Sequence, residues 1–208
     1  MAVHVLAISG SLRQDSHNTR LLRAAATLLP PGSELELWGA LKDIPPFDED
    51  DETGRPHIAV ARLRAAVARA DAILIATPEY NSSVPGQLKN GLDWLSRPYA
   101  SNPLRGRPAA VIGASTGVFG AVWGQAETRK VLTAIGARTI DRELPIGSAS
   151  EQFDETGRLL DGGVAAQLRD LLGELVQGAR PAGRQVRLST RHDNGQRGPV
   201  RVRRPAVR

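Results

Sequence analysis

The residues with the clearest chemical potential lie in one polar segment, residues 9–19, which directly follows an apolar run. Hydroxyl groups and an arginine before a helix, with the unpaired backbone N–H groups of its first turn, can bind a phosphate group. The segment lacks the Gly-x-Gly-x-x-Gly and Gly-Lys-Ser/Thr patterns of dinucleotide and nucleoside triphosphate sites, so a phosphate monoester is favoured. The alternative is an ordinary helix cap by Ser16 or Asn18.

A second polar segment, Thr77-Pro78-Glu79-Tyr80-Asn81, follows another apolar run and precedes a helix that has Pro85 near its first turn. Backbone amides with Tyr and Asn side chains can contact the edge and face of a planar heterocycle. The same residues are equally compatible with an ordinary β-turn before a helix.

A third segment, Gly113-Ala114-Ser115-Thr116-Gly117, matches the Gly-x-Ser-x-Gly nucleophile elbow of serine hydrolases. That chemistry needs an acid and then a histidine later in the chain, and the only later histidine is His192. We therefore disfavour Ser115 as a nucleophile. Glycines and small hydroxyl residues here instead allow a flat ligand to approach the backbone closely.

These three segments are positioned by an alternation of short apolar runs with segments of helical periodicity. This pattern predicts a doubly wound α/β domain, whose ligands bind outside the carboxyl ends of the strands. The predicted strands are Val3–Ile8, Leu35–Trp38, Ala72–Ala76, Ala109–Gly113 and Arg138–Leu144. The predicted helices are Asn18–Leu29, His57–Arg69, Gly86–Leu95, Val122–Ile135 and Val164–Val176.

Composition excludes several kinds of chemistry. The chain of 208 residues has no cysteine, so disulfides, thiolate metal sites and a cysteine nucleophile are excluded. The four histidines are scattered, and the acidic run at residues 48–52 has no ligand spacing, so we expect no metal site. No apolar stretch has membrane-spanning length and no leader is evident, which predicts a cytoplasmic protein.

The positive charge is concentrated at one end of the sequence. Residues 179–208 hold nine arginines against one aspartate, a local charge of +8, so residues 1–178 carry −3 of the +5 total. Helical periodicity stops after Gly178, and interleaved aromatic residues are absent. We therefore expect a domain at residues 1–178, a disordered tail at 179–208, and neither a nucleic-acid nor a membrane partner.

Three motifs together resemble the NAD(P)H-dependent FMN reductases, a flavodoxin-like family that includes quinone, chromate and azo-dye reductases. They are Gly10-Ser11-Leu12-Arg13 with Ser16 and Asn18, Pro78-Glu79-Tyr80-Asn81, and residues 85–94, Pro-Gly-Gln-Leu-Lys-Asn-Gly-Leu-Asp-Trp. The likeness covers about residues 1–176. It implies a five-stranded parallel sheet of order 2-1-3-4-5 with FMN at the switch point between strands 1 and 3.

The resemblance also implies which residues contact FMN. The phosphate is expected against Ser11, Leu12, Arg13, Ser16 and Asn18. The ring and ribityl chain are expected against Pro78, Glu79, Tyr80, Asn81, Ser115, Thr116 and Gly117.

The implied activity is ping-pong hydride transfer from NAD(P)H through FMN to a small acceptor such as a quinone or a flavin, with no catalytic acid or nucleophile. A homodimer or homotetramer is also implied, and the helix with Lys89 and Trp94 is the candidate contact between subunits. From the residues alone, Trp94 is expected either in the core or at such an interface. A flavin-binding electron carrier or sensor without nicotinamide turnover is the alternative. The serine hydrolase ranks behind both.

Overall fold

The fold was analysed in a computed structural model, which describes residues 2–52 and 55–180. Its sheet is parallel and has the strand order β2-β1-β3-β4-β5, with β6 also paired to β4. The predicted flavodoxin-like order is therefore confirmed. The strands are β1 (Val3–Ser9), β2 (Ser33–Trp38), β3 (Ala72–Ala76), β4 (Pro108–Ala114), β5 (Arg138–Thr139) and β6 (Pro145–Ile146).

In the described part of the chain, five α-helices connect and cover these strands, at positions close to those predicted from periodicity. Ser16 and Asp161 cap the first and last helices by accepting hydrogen bonds from backbone N–H groups of the first turn. The helices are α1 (His17–Leu28), α2 (Ile58–Arg69), α3 (Gly86–Ser96), α4 (Val122–Ala134) and α5 (Gly162–Ala179).

The apolar core has two halves, one on each face of the sheet. In β1, Val5 and Ala7 pack in the half that contains α1 and α5, whereas Leu6 and Ile8 pack in the half with α2 and α3. Side chains alternate between the faces of a strand, so a strand covered on both faces must be apolar at every position. This explains the continuous apolar runs of β1, β3 and β4, which are the inner strands.

The fifth strand was predicted as one run, Arg138–Leu144, and this prediction is wrong. The chain pairs with β4 only at Arg138–Thr139, leaves the edge, and pairs again at Pro145–Ile146. The intervening residues 141–143 are charged. Arg142 forms an ion pair with Glu174 on α5 at 2.5 Å, and Glu143 pairs with Arg129 on α4 at 2.5 Å, so these side chains reach the helices on either side.

The helix before β4 packs Trp94 into the core, the first of its two interpretations from sequence. Trp94 is only 3% exposed, its indole N–H donates to the carbonyl of Pro45 at 2.9 Å, and its ring packs edge-on against Phe47. Lys89 is held by Asp93 one turn along the same helix at 2.7 Å. Trp94 is therefore a core residue and cannot supply the contact between subunits.

The last helix continues past the predicted domain boundary at residue 178, since α5 ends at Ala179. The rest of the Arg-rich segment, residues 181–208, lies outside the described residues, so the disordered tail stays a prediction. No helix in the described ranges is long and apolar enough to cross a membrane.

Candidate functional site

The loops after β1, β3 and β4 meet at the carboxyl edge of the sheet and enclose a cleft of about 140 Å³. The position is the one where doubly wound sheets bind ligands. Nine of the twelve predicted site residues line the cleft, and Leu12, Asn81 and Gly117 do not. Its lining residues are Ser11, Arg13, Ser16, His17, Asn18, Pro78, Glu79, Tyr80, Ala114, Ser115 and Thr116.

The loop between β1 and α1, residues 10–16, is held close to the rest of the edge. The backbone N–H of Gly10 donates to the carbonyl of Ala76 at 2.8 Å. A Cβ at Gly10 would lie 2.8 Å from Leu88 Cδ2 and 3.2 Å from Pro78 Cδ, so only glycine fits without rearrangement. The absence of a side chain at residue 10 thus lets this loop pack directly beside the loop after β3.

The first turn of α1 presents hydrogen-bond donors to the cleft. Ser16 Oγ accepts from the backbone N–H of Thr19 at 3.3 Å, while the N–H groups of His17 and Asn18 precede the first intrahelical bond, from Arg20 to the Ser16 carbonyl. Such N–H groups and the positive end of a helix dipole attract anions. The Ser11 hydroxyl and the Arg13 guanidinium lie beside them in the cleft lining.

The Arg13 side chain has no ion-pair or hydrogen-bond partner among the described residues, and neither has that of Arg20. The positive charges of Arg13 and Arg20 act on the imidazole of His17. The pKa of His17 is held below its ordinary value, first by burial and then by repulsion from Arg20 and Arg13. Its Nδ1 atom is buried without a hydrogen-bond partner in the described structure. This end of the cleft is therefore electropositive and suited to a phosphate.

The side chain of Asn18 forms hydrogen bonds to the protein backbone at the end of β4. Its Nδ2 donates to the carbonyl of Ala114 at 2.9 Å, and its Oδ1 accepts from the Ala114 N–H at 3.0 Å. The residue is buried and joins α1 to the end of β4. The backbone N–H of Asn18 remains the group positioned to reach an anion at this helix end.

The loop after β3 makes a tight reverse turn. Tyr80 and Ser83 exchange two backbone hydrogen bonds of 3.2 Å, and Asn81 and Ser82 between them adopt left-handed conformations with φ of 53° and 59°. Two central residues with positive φ define a type I′ turn, in which asparagine is well tolerated. This turn leaves the Tyr80 side chain about half exposed at the cleft.

Glu79 anchors the same loop to a helix distant in sequence. Its Oε2 accepts from the backbone N–H groups of Trp123 at 3.0 Å and Gly124 at 3.1 Å, in the first turn of α4. A Cβ at Gly124 would lie 2.9 Å from the Pro78 carbonyl oxygen, so the helix approaches the loop very closely. Sequence reasoning missed Gly124, because a glycine inside a helix gives no signal of what packs against it.

The loop after β4 is held by backbone hydrogen bonds to β6 and to the residues that follow it. The Ser115 N–H donates to the Ile146 carbonyl at 3.0 Å, and the Ser148 N–H donates to the Gly117 carbonyl at 3.2 Å. The Ser115 hydroxyl donates to the Gly117 carbonyl at 3.1 Å. That hydroxyl is thus not bonded to a base, and His192 lies outside the described residues, so the geometry offers no support for a serine nucleophile.

An exposed apolar patch, formed by Val118, Phe119 and Trp123, adjoins the cleft. These side chains are 80%, 64% and 47% exposed, and the two aromatic rings make an edge-on contact with centroids 5.1 Å apart. Exposed clusters of aromatic residues are enriched at binding surfaces, compared with the rest of the protein surface.

Comparison with solved structures identifies the class of protein. The chain resembles flavoenzymes of flavodoxin-like fold: a solved structure described as FerB, a flavoenzyme NAD(P)H:(acceptor) oxidoreductase from Paracoccus denitrificans, matches with a TM-score of 0.76 and 34% identity. The match covers 86% of this chain and 97% of that one. A flavodoxin structure from Pseudomonas aeruginosa, 18% identical, shares the fold with a TM-score of 0.52.

The family assignment comes from sequence. Residues 3–151 match the family model described as NADPH-dependent FMN reductase. An NAD(P)H-dependent FMN reductase from Pseudomonas aeruginosa is 42% identical over 176 residues, which is 84% of this chain and 92% of the relative. A quinone reductase of Escherichia coli K12 is 35% identical over 182 residues, 84% and 96% of the two chains. The chain belongs to the NADPH-dependent FMN reductase family.

Proposed function

We propose that this protein is an FMN-dependent NAD(P)H oxidoreductase that reduces a small acceptor such as a quinone or another oxidant. The observation that carries the proposal is the electropositive end of the cleft, where Arg13, unpaired among the residues described, lies with the Ser11 hydroxyl and the first turn of α1. This donor set fits a phosphate monoester. Family membership and reductase relatives that align over most of both chains support the same activity.

The two ends of the cleft would have different tasks. Ser11, Arg13 and Ser16, with the backbone N–H groups of Leu12, His17 and Asn18, would hold the FMN phosphate. The other predicted contacts would line the ribityl chain and the ring: Pro78, Glu79, Tyr80, Asn81, Ser115, Thr116 and Gly117. When bound, FMN supplies the two-electron chemistry, accepting hydride from a nicotinamide and passing both electrons to an acceptor.

The protein's own part in this chemistry is positional. Two backbone hydrogen bonds close the turn at Asn81 and Ser82, Glu79 ties this loop to α4, and the Gly117 carbonyl accepts a hydrogen bond from Ser148, so the loops after β3 and β4 are both tied to neighbouring elements. Such ties would help to orient two planar rings against each other. No side chain is needed as an acid or nucleophile in this scheme.

We further propose that a second copy of the chain packs near the apolar patch of Val118, Phe119 and Trp123, as a homodimer or homotetramer. The patch adjoins the cleft and its aromatic rings are exposed, in contrast to Trp94. Cytoplasmic location remains a prediction.

The decisive experiment is anaerobic mixing of FMN-loaded protein with NADPH or NADH while flavin absorbance is followed. Bleaching of the visible band, and its return on addition of benzoquinone, is expected for the reductase. A protein that binds FMN but is not bleached would be the electron carrier or sensor instead. A protein that takes up no FMN would overturn both.

A further inference from the structure

A second cleft, of about 310 Å³, lies beside the candidate FMN cleft, at the carboxyl ends of β1 and β2. Ser11 and Arg13 line both clefts, so the two are contiguous. The second cleft also contains Arg23 of α1 and Lys42, which follows β2. We name it the β2 cleft.

The charged side chains that line the β2 cleft are all positive. Arg13, Arg23 and Lys42 bring three cations from three different segments, and no Asp or Glu is among the described residues that line it. None of these three side chains forms an ion pair or hydrogen bond within the described ranges. In the FMN-loaded protein Arg13 would face the flavin phosphate, which leaves Arg23 and Lys42 as the cations that attract a second anionic group to this cleft.

The lining of the β2 cleft also includes apolar side chains. Leu12 and Leu37 are 45% and 37% exposed there, and Trp38 and Leu41 lie beneath them, nearly buried. An exposed aliphatic surface next to a cation cluster suits a ligand with an aromatic ring and a phosphate group, and inorganic phosphate would leave it uncovered.

We propose that the β2 cleft binds the adenosine 2′-phosphate end of NADPH and gives this protein a preference for NADPH over NADH. The inference rests on the proposed function, because only a nicotinamide-using enzyme needs this discrimination. Adjacent strands are about 4.8 Å apart, so the end of β2 lies roughly 10 Å from the end of β3, and the linked pyrophosphate and riboses of a dinucleotide span such a distance. Arg23 and Lys42 belong to no part of the proposed FMN site, so they carry the selectivity.

The test uses FMN-loaded protein, in which the flavin phosphate site is filled. Calorimetric titration with 2′,5′-ADP and 5′-AMP compares two probes that differ in the 2′-phosphate. We expect 2′,5′-ADP to bind more tightly, and K42Q to weaken it about tenfold, the usual effect of losing one charge-assisted contact, with little effect on 5′-AMP. R23Q should also weaken the binding of 2′,5′-ADP, with little effect on 5′-AMP.

Matched controls are Lys130→Gln on α4 and Arg62→Gln on α2, exposed residues that line neither cleft. Both should leave the two affinities unchanged. In steady-state assays, K42Q should raise the KM for NADPH selectively and leave kcat and the KM for NADH nearly unchanged.

Equal affinities for the two probes, or a difference that survives both K42Q and R23Q, would overturn the β2 cleft as the 2′-phosphate site. Failure of the proposed function looks different: the protein would take up no FMN, or its bound FMN would not be bleached by either nucleotide. In that case the inference falls together with the function on which it rests.

Discussion

Glu79 and Gly124 are joined by a hydrogen bond of 3.1 Å from the glycine N–H to the carboxylate, across 45 positions of sequence. The bond sits where α4 begins, so the negative charge of Glu79 also faces the positive end of that helix. It couples the loop predicted to line the flavin ring to the helix that carries the exposed Trp123. The cleft therefore depends on a contact between two neighbouring crossover connections.

Glu79→Ala should lower the free energy of unfolding by about 1 kcal/mol, because the first turn of α4 loses its capping acceptor. FMN affinity should fall as well, since the loop is no longer tied to α4. Urea denaturation and flavin fluorescence titration measure the two effects. Glu79→Gln keeps an acceptor without the charge, so it should lower the free energy of unfolding and the FMN affinity less. Glu155→Ala, on an exposed loop, is the control. Equal losses in all three variants would contradict the capping role.

Arg13→Ala should weaken FMN binding by about 1–3 kcal/mol, the range for removing one charge-assisted contact with a phosphate. The free energy of unfolding should hardly change, since the Arg13 side chain has no partner among the described residues. Titration with FMN and with riboflavin, which lacks the phosphate, separates the effects. Riboflavin affinity should be nearly unaltered; an equal loss for both ligands would place Arg13 away from the phosphate.

Asn18→Ala should lower the free energy of unfolding by about 2–4 kcal/mol. The substitution leaves both the N–H and the carbonyl of Ala114 without their partner in a buried place, and each unsatisfied group costs about 1–3 kcal/mol. Gln14→Ala, in the preceding loop and exposed, is the control. A stable Asn18→Ala protein with weakened FMN binding would show instead that the amide is a phosphate ligand.

His17 should make the flavin-free protein sensitive to acid. Its pKa in the folded state is lowered by burial, Arg20 and Arg13, so the unfolded chain takes up a proton there more readily. Stability should therefore fall as the pH drops through the ordinary histidine pKa of about 6.5, until the lowered pKa of the folded state is passed. Between about pH 7.5 and 5.5, the free energy of unfolding should fall more for the wild type than for His17→Gln. Parallel pH curves would contradict this assignment.

Sequence periodicity alone located most elements to within a few residues, including Ala72–Ala76, which is correct at both ends. Its error at the fifth strand has a physical cause. The run 138–144 has strand-like residues at its ends, but the charged residues between them find ion-pair partners on α4 and α5. Such partners come from segments before and after the strand, so local composition could not reveal them.

The anion site in the first loop is likewise a prediction from local residues alone. Serines and an arginine before a helix cap predict an anion site because the dipole, the N–H groups and the side chains all belong to one loop. The role of the Asn18 side chain was not evident in this way, because its partner Ala114 lies 96 positions away.

The amino-acid sequence by itself determined the parallel α/β architecture and predicts an anion site in the first loop, since burial on both faces and helix capping are local properties. Tertiary structure alone decided which distant groups meet: Glu79 with the first turn of α4, Asn18 with Ala114, and Lys42 with Arg23 beside one cleft. Those encounters depend on how closely helices and loops pack at the sheet edge, a distance set by glycines such as Gly124 whose only contribution is the absence of a side chain.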